Sequence, residues 1–316
     1  MSKFFHKEIL SNGRTHIYFM GIKIASYKSS KHVNKYLNYK KYNDLVLDIK
    51  QNIAKIPSDI DLIVGVPRSG IIPAYAIALA LNKQVCSLPE FLSGMFGEHG
   101  MTRKIEVKNQ IKKVLIVDDT INSGLSITKV KERLLPLKDK YDFVYMAVYG
   151  ADENAYNIMD IVLNILPQPR VFQWNYLNHA FLNNAAFDID GVLCVDPTPE
   201  ENDDGEKYIH FILNATPLYI PKQKIGAIVT SRLEKYRKET EQWLKKNGVQ
   251  YDNLYMLENM TAEERRRKCI HAKHKANIYK QHPEYNIFIE SDINQAKEIA
   301  KLTKKYVFCA TNDVLY

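Results

Sequence analysis

The stretch VLIVDDTINSGLS, residues 114–126, decides the fold of the first half of the chain. Its first four residues predict a buried β-strand, and the small residues 122–126 predict a turn that runs into a helix over 126–135. Backbone N–H groups of such a turn, and of a helix N-terminus, bind phosphate. Asp118 and Asp119 would repel that phosphate, so we expect them to bind hydroxyl groups instead. A phosphate beside a vicinal diol indicates a ribose 5-phosphate site.

The same stretch resembles the motif with which type I phosphoribosyltransferases bind 5-phosphoribosyl 1-pyrophosphate (PRPP). In that motif two acidic residues precede a small-residue phosphate loop. Thr120 and Asn122 depart mildly from the pattern, at tolerant positions. A buried strand with an aspartate-rich turn is the alternative. The resemblance implies that Asp118 and Asp119 are catalytic, and that the PRPP contacts from this motif are Asp118, Asp119, Thr120, Asn122, Ser123, Gly124 and Ser126.

A second strand, turn and helix lie roughly fifty residues earlier. Residues 61–66 predict a buried strand, GVPRSG (65–70) a turn, and residues 71–81 a helix. Such a turn lets backbone amides and one guanidinium group approach a diphosphate. It resembles the pyrophosphate loop of the same family, which implies PRPP contacts from Arg68, Ser69 and Gly70.

The interval 87–110 between these two units is long and rich in glycine. A loop of this length inside a compact domain is normally functional or disordered. In the family, a flexible lid occupies the interval and closes over PRPP to exclude water. Arg103 and Lys104 are therefore candidate lid cations for the pyrophosphate, with a solvated loop as the alternative.

The rest of the first half supplies elements around these loops. Residues 31–56 carry apolar and aromatic side chains at spacings of three and four, which predicts a helix facing the core. Residues 141–149 and 158–166 predict two further strands. The segment PRVFQWN follows, and its Phe172 and Trp174 are expected either to line the pocket above the ribose or to pack at a domain junction.

A second set of motifs begins with FDIDGVL, residues 187–193. This stretch predicts a strand that carries Asp188 and Asp190 on one face, because residues i and i+2 of a strand share a face. One carboxylate can then act as nucleophile and the other as acid/base. The stretch resembles motif I of the haloacid dehalogenase (HAD) superfamily. Three further motifs follow in the family's order: Thr230 and Ser231 after a strand over 225–229, Lys275, and Glu290 and Asp292 after a strand over 286–289.

The HAD resemblance implies Mg²⁺-dependent hydrolysis of a phosphomonoester. The catalytic residues that it implies are Asp188, Asp190, Thr230 and Lys275, with Lys268 and Lys273 as alternatives to the lysine. The metal ligands that it implies are Asp188, the backbone carbonyl of Asp190, and Glu290 ahead of Asp292. Glu290 departs from the commoner double-aspartate form, which leaves the choice between the last two open. The insertion 194–224 is too small for a large cap, so the site either accepts bulky substrates or is covered by the neighbouring domain.

The formal charge of +8 resides in residues 1–41, which hold nine Lys/Arg and one acidic residue. The neutral remainder excludes nucleic acid as an expected partner. The basic arm is expected to meet phosphates, an anionic membrane surface, an acidic glycan or biosynthetic glycosyltransferases, or else to be a solvated face. Residues 15–27 predict a two-stranded ribbon. Their pattern IYF-x-GIKI-x-SYK resembles a segment of bacterial capsule and lipooligosaccharide biosynthesis proteins.

The expected fold class is α/β, with two doubly wound parallel-sheet (Rossmann-like) domains, a type I phosphoribosyltransferase domain and then a HAD-like one. The expected bounds are 1–41 for the arm with its ribbon, 42–178 for the first domain and 179–316 for the second, with a small cap. Four widely spaced cysteines without a CxxC pair predict a reduced protein. The sequence shows no signal peptide and no apolar run long enough to span a bilayer, so we expect a cytoplasmic protein, compatible with work at the inner membrane face and with a homodimer.

Together the resemblances imply a bifunctional enzyme with Mg²⁺ at both sites. It would transfer 5-phosphoribosyl from PRPP to an acceptor, release pyrophosphate, and then remove the 5-phosphate to leave a β-ribofuranosyl group. A surface glycan or lipid-linked glycan is the expected acceptor, because a fused phosphatase serves a plain ribofuranosyl product. The alternatives are a nucleobase phosphoribosyltransferase joined to a nucleotidase, and a PRPP-sensing regulator.

Overall fold

The computed structural model describes residues 5–9, 14–19, 22–28, 37–95, 110–258 and 270–316, the first three ranges as backbone. Two compact units divide the chain. One is Asn38–Trp174, and the other combines Met1–Leu37 with Asn175–Tyr316. The first unit therefore begins and ends four residues before the bounds expected from the sequence, 42 and 178.

The N-terminal strands are β1 (Phe5–Ile9), β2 (Arg14–Phe19) and β3 (Ile22–Lys28), which form an antiparallel sheet in the order β1-β2-β3. The ribbon expected over 15–27 corresponds to the pair β2 and β3. The strand β1 adds a third strand to this sheet, which the alternating pattern of residues 15–27 did not indicate.

The unit Asn38–Trp174 is a parallel α/β structure. Its elements are β4 (Asn38–Lys40), α1 (Tyr42–Gln51), β5 (Leu62–Gly65), α2 (Ile71–Leu81), β6 (Gln84–Ser87), α3 (Leu88–Leu92), β7 (Lys113–Ile121), α4 (Leu125–Leu134), β8 (Asp142–Gly150), β9 (Ile161–Ile165) and β10 (Arg170–Phe172), with 3₁₀ turns at Ile53–Lys55, Leu135–Leu137 and Glu153–Asn157. Five strands form a sheet in the order β6-β5-β7-β8-β9, in which every pairing is parallel. The strands β10 and β4 form a separate parallel pair.

Each face of the five-stranded sheet has its own core. Leu62 and Val64 of β5 pack into one buried cluster, whereas Ile63 between them packs into another. Strand β7 divides in the same way, with Ile116 in the first cluster and Leu115 in the second. Burial on both faces explains why these strands read as continuous apolar runs rather than as alternating patterns.

The single helix predicted over 31–56 is wrong. Residues 38–40 are the strand β4, helix α1 begins only at Tyr42, and residues 31–36 lie outside the described part of the chain. Strand β4 exists because it pairs with β10, some 130 positions later, and a local periodicity cannot reveal that pairing. Of the side chains expected to face the core, Leu45 and Ile49 are buried, but Tyr42 is 45% exposed.

The second unit has a six-stranded sheet. Its described elements after residue 175 are β11 (Ala185–Phe187), α5 (Glu206–Asn214), β12 (Ile225–Leu233), α6 (Arg237–Lys246), β13 (Tyr251–Leu257), α7 (Ile270–Gln281), β14 (Ile287–Glu290), α8 (Ile293–Thr303), β15 (Tyr306–Cys309) and β16 (Val314–Leu315), with 3₁₀ turns at Tyr176–Asn178, Ala180–Asn184 and Glu234–Tyr236. The strand order is β13-β12-β11-β14-β15-β16, and all pairs are parallel except the last. Across the described ranges, no helix is both long and apolar enough to cross a membrane.

Candidate functional site

Two loops of the first unit meet at one edge of its sheet. Strands β5 and β7 are parallel neighbours with Gly65 opposite Val117, so the segments that follow them emerge side by side. Gly70 ends the first segment, and a side chain there has no room. A Cβ atom on Gly70 would lie 2.6 Å from the carbonyl oxygen of Val66 and 2.7 Å from that of Val117. The glycine therefore lets the predicted pyrophosphate loop pack directly against β7.

Asp119 is the best-held polar group at this edge. Its Oδ1 accepts a hydrogen bond from the Ser69 hydroxyl over 2.9 Å, and its Oδ2 accepts one from the indole Nε1 of Trp174 over 2.6 Å. The carboxylate is almost fully buried. The structure thus brings Ser69 of the first predicted loop to Asp119 of the second, and adds Trp174, for which the sequence predicted no polar role.

Asp118 lies beside Asp119 and is partly exposed. Its Oδ1 accepts the backbone N–H of Asp119 over 2.9 Å. Burial, together with the charge of Asp119, raises the pKa of Asp118 to about 8. Burial and the neighbouring charge therefore favour the protonated form of Asp118 in this arrangement.

The small-residue turn 122–126, predicted as a phosphate loop, leads directly into helix α4. Asn122 and Ser123 are exposed, Gly124 has φ +78°, and α4 begins immediately afterwards with Ser126 exposed in its first turn. A left-handed φ at this position favours glycine. The hydroxyl of Thr120 is buried without a hydrogen-bond partner. The loop therefore presents free backbone donors and hydroxyls around a helix N-terminus.

Of the remaining residues predicted to contact PRPP, Arg68 is described by the structure, and the two lid residues are not. Arg68 is exposed beside the loop, at a cis peptide bond to Pro67. The lid candidates Arg103 and Lys104 lie outside the described residues. Phe172 is buried, and its ring stacks on Trp174 with centroids 4.8 Å apart. The aromatic pair therefore lies next to the acidic motif within the same unit.

Residues 34–140 match the model of the family described as "Phosphoribosyl transferase domain". The chain contains a phosphoribosyltransferase domain. The match spans about one third of the sequence and includes both loops just described. No curated protein matches the chain.

Several solved structures are similar to the phosphoribosyltransferase domain. They include the Helicobacter pylori xanthine-guanine-hypoxanthine phosphoribosyltransferase (17% identity, 44% of this chain and 93% of that one, TM-score 0.35). The Pyrococcus horikoshii purine phosphoribosyltransferase is 20% identical over 44% of this chain and 93% of that one, with a TM-score of 0.32. The Aeropyrum pernix orotate phosphoribosyltransferase is 17% identical over 51% of this chain and 85% of that one, with a TM-score of 0.28. At such low TM-scores these likenesses add nothing to the family match.

Beyond the phosphoribosyltransferase domain, the second unit contains a cavity of about 750 Å³. Its lining includes five carboxylates and two basic side chains, namely Asp188, Asp190, Asp196, Glu290, Asp292, Arg232 and Lys275. Strands β11 and β14 are parallel neighbours, with Phe187 opposite Ile289, so Asp188 and Glu290 emerge next to each other. Partial burial raises the pKa of Asp196, and the charges of neighbouring carboxylates raise it further.

The strand predicted to include Asp188 and Asp190 ends at Phe187. Residues after it form a turn in which the N–H groups of Val192 and Leu193 donate to the carbonyl oxygen of Ile189. Asp188 and Asp190 still reach one cavity, but they do so from this turn rather than from one face of a strand.

Lys275 is the lysine that contacts Asp188. Its Nζ donates to Asp188 Oδ2 over 2.6 Å, to Glu290 Oε2 over 2.7 Å and to Gln295 Oε1 over 3.0 Å, and the side chain is fully buried. Burial raises the pKa of Asp188 to about 7, against the opposing effect of Lys275. Of the alternatives, Lys273 is exposed on α7, and Lys268 lies outside the described residues.

Asp190 is paired with Arg232, a residue that the motif comparison passed over. Arg232 Nη2 lies 2.6 Å from Asp190 Oδ1, and Nε lies 3.2 Å from both carboxylate oxygens. The arginine is 1% exposed. Burial lowers the pKa of Arg232, but Asp190 outweighs that effect and raises it. Its position directly after Thr230 and Ser231 was the available signal.

The other residues predicted for this site differ in whether they line the cavity and in what they contact. Thr230 is fully buried inside β12 and is not among the residues that line the cavity, whereas Ser231 lines it with a hydroxyl that has no partner. Glu290 Oε1 accepts the backbone N–H groups of Ser291 and Asp292. Asp292 caps α8 by accepting the N–H of Gln295 over 2.7 Å.

The donor chemistry of the cavity suits a hard divalent cation. Asp188, Glu290, Asp292 and the carbonyl of Asp190 offer only oxygen, the ligand that Mg²⁺ prefers. The excess of carboxylates over basic groups would repel a phosphate, and a divalent cation would offset that repulsion. In the described ranges, no three His, Cys, Asp or Glu side chains are arranged around one metal position. Here Lys275 holds Asp188 and Glu290 together.

Proposed function

We propose that the chain is a bifunctional enzyme that transfers 5-phosphoribosyl from PRPP to an acceptor and then removes the 5-phosphate. The phosphoribosyltransferase domain supports the first step. The observation that carries the second is the buried contact of Lys275 with both Asp188 and Glu290. A nucleophilic carboxylate beside a buried ammonium group suits covalent phosphoryl transfer, because the ammonium offsets negative charge on the transferred group.

In the first site, the loop 122–126 and the N-terminus of α4 bind the 5-phosphate. Asp118 and Asp119 accept hydrogen bonds from the ribose hydroxyls, and Arg68 approaches the pyrophosphate. The acceptor attacks C1 as pyrophosphate leaves, which inverts that centre and gives a β-ribosyl product. Mg²⁺ bound with PRPP would neutralise the departing pyrophosphate. Water has to be excluded at this stage, since it is itself a nucleophile.

In the second site, an Asp188 oxygen attacks the phosphorus of the 5-phosphate and the ribose oxygen leaves. In its protonated form, Asp190 gives that oxygen a proton, and the resulting carboxylate, paired with Arg232, then takes a proton from the water that hydrolyses the aspartyl phosphate. Lys275 offsets the charge on the phosphoryl oxygens, and the hydroxyl of Ser231, which lines the cavity, binds one of them. Mg²⁺, held by Asp188, the Asp190 carbonyl and Glu290 or Asp292, would supply further charge neutralisation.

We infer that the acceptor is a surface glycan, free or lipid-linked. Three features support a glycan acceptor. A phosphatase step is useful where a plain ribofuranosyl group is wanted. The N-terminal segment is basic, and the short insertion 194–224 leaves room for a long acceptor. A hydroxyl acceptor needs a general base near C1. The candidates are Asp118, Asp119 and two residues of the predicted lid, Glu98 and His99, which lie outside the described residues.

The two steps are tested separately by one substitution in each site. Asp119→Asn should abolish consumption of PRPP and leave hydrolysis of a small phosphomonoester nearly intact. Asp188→Asn should do the reverse, and its product should keep the 5-phosphate, visible by mass spectrometry as one extra HPO₃ unit. Equal loss of both activities in folded variants would contradict two separate sites.

The acceptor is tested by incubating the protein with PRPP, Mg²⁺ and oligosaccharides of bacterial surface glycans. We expect a product heavier by one pentose unit, with a β-ribofuranosyl linkage by NMR. Adenine, guanine, hypoxanthine, uracil and orotate should give no nucleotide. Rapid nucleotide formation with any of these bases would replace the glycan by a nucleobase as acceptor.

A further inference from the structure

Trp174 makes a polar contact that lies outside both predicted PRPP motifs. Its indole Nε1 donates to Asp119 Oδ2 over 2.6 Å, across 55 positions of sequence. The Ser69 hydroxyl holds the other oxygen of the same carboxylate. Asp119 is 2% exposed, so these two donors set the direction of a group that has little contact with solvent.

The indole is itself held in place by other rings. Its centroid lies 4.8 Å from that of Phe172 and 6.5 Å from that of Tyr149, with both rings nearly parallel to it. Tyr42 packs at 5.7 Å in a tilted arrangement. The Tyr149 hydroxyl is in turn anchored to Asp48 over 2.6 Å. Moving the N–H away from Asp119 would therefore disturb a stack of aromatic side chains.

We propose that Trp174 is a positioning residue for PRPP: its indole N–H orients Asp119 so that this carboxylate accepts a ribose hydroxyl. This inference rests on the proposed function of the site. A carboxylate offers about four acceptor positions. Ser69 and Trp174 occupy one on each oxygen, which leaves acceptor positions for the hydroxyl. Without the indole donor, the Ser69 hydroxyl is the remaining one of these two donors that restrains rotation of the carboxylate about its bond to Cβ.

The first test is PRPP binding by the full chain with Mg²⁺, measured by calorimetry. Trp174→Phe keeps an aromatic ring in the stack and removes only the N–H donor. Because hydrogen bonds to a charged group are among the stronger ones, we expect PRPP binding to weaken about tenfold. Phe172→Leu is the matched control, since it alters the stack and leaves the hydrogen bond, and it should weaken binding far less.

The second test asks whether the effect passes through the hydroxyls. Ribose 5-phosphate and its 2-deoxy and 3-deoxy analogues are compared as competitors of PRPP. The wild-type protein should prefer the parent compound, and Trp174→Phe should lose that preference for at least one analogue. A residue that only supports the fold would change all three affinities by one factor, and that result would overturn the proposal.

The outcomes separate the inference from the proposed function. Failure of the wild-type protein to bind PRPP would count against the function itself. Unchanged or tighter PRPP binding by Trp174→Phe would refute the positioning role, and tighter binding would mean that the indole blocks the hydroxyl site. If Trp174→Phe does not fold, Trp174→His is measured instead. That variant retains a ring N–H, so it should preserve the preference for ribose over the deoxy analogues, and a loss of preference would again refute the role.

Discussion

Lys275 and Arg232 are two buried basic residues of one cavity, and each neutralises a different aspartate. Lys275 contacts Asp188, and Arg232 contacts Asp190. The nucleophile and the acid/base of the proposed mechanism therefore have separate partners. This arrangement distinguishes two carboxylates that are only two positions apart in the sequence.

The pair of Arg232 and Asp190 should contribute strongly to stability because it is buried. Arg232→Met leaves Asp190 without its partner, and removing one member of a buried pair typically costs about 3–5 kcal/mol. Lys224→Met is the matched control, because its pair with Asp252 is about half exposed on both sides and should cost about 0–1 kcal/mol. Urea unfolding followed by Trp243 fluorescence, in a Trp174→Phe background, measures both. Equal effects would mean that burial of the arginine pair has no energetic consequence.

Asp118 should make the first unit less stable as the pH rises. Its pKa is raised to about 8 in the folded state, against about 3.9 for an unperturbed aspartate. The folded state therefore binds this proton more tightly, so its stabilising effect is present below about pH 4 and is lost as the pH rises to about 8. Asp118→Asn removes that dependence. The melting temperatures of this variant and of the wild-type protein should diverge as the pH rises from about 4 to about 8, in favour of the variant, while that of the exposed Asp139→Asn variant should follow the wild type.

At the level of elements, the turn after β11 is packed closely against the residues that follow β14. Gly191 has φ +71°, and a Cβ atom there would lie 2.3 Å from the Ser291 hydroxyl oxygen and 2.6 Å from its Cβ. Ser291 donates to the backbone carbonyl oxygen of Asp190. The turn and the start of the last motif are therefore fitted against each other.

Gly191→Ala should abolish phosphatase activity and destabilise the second unit. Gly248→Ala is the control, because Gly248 has φ +70° but nothing within 4 Å of the added Cβ. Both variants place alanine in the left-handed region, at about 1–2 kcal/mol, so the difference between them isolates the clash with Ser291. Melting temperatures and phosphomonoester hydrolysis provide the measurement. Similar behaviour of the two variants would show that backbone conformation alone accounts for the loss.

The elements that could be predicted are those whose signals are local. Helix α2 has the predicted bounds 71–81, because a turn of small residues precedes an uninterrupted apolar run. The helix predicted over 31–56 failed at β4, which depends on a partner strand far along the chain. In the sites, the acidic motifs were visible in sequence, whereas the contact of Trp174 with Asp119 depends on how β7 and the segment after β10 meet in three dimensions.

On the scale of the whole molecule, the compact unit Asn38–Trp174 lies in the sequence between the two segments that make up the other unit. Its first strand, β4, pairs with its last, β10, with Asn38 opposite Arg170 and Lys40 opposite Phe172. The backbone N–H of Asn38 also donates to the carbonyl oxygen of Pro169. The place where the chain enters this unit and the place where it leaves are therefore neighbours.

Neighbouring ends make the unit a candidate for circular permutation. Because β4 and β10 run parallel, residue 174 lies about four residues, or roughly 13 Å, farther along the pair than residue 38. A linker of about six glycines can therefore join residue 174 back to residue 38, and the chain can be reopened in the exposed turn 138–140. The permuted polypeptide should fold and bind PRPP as the parent unit does, because every strand keeps its neighbours while only the order of synthesis changes. Its ends would then emerge on a new side, and a fusion partner could be attached there without passing through the β4 and β10 pair.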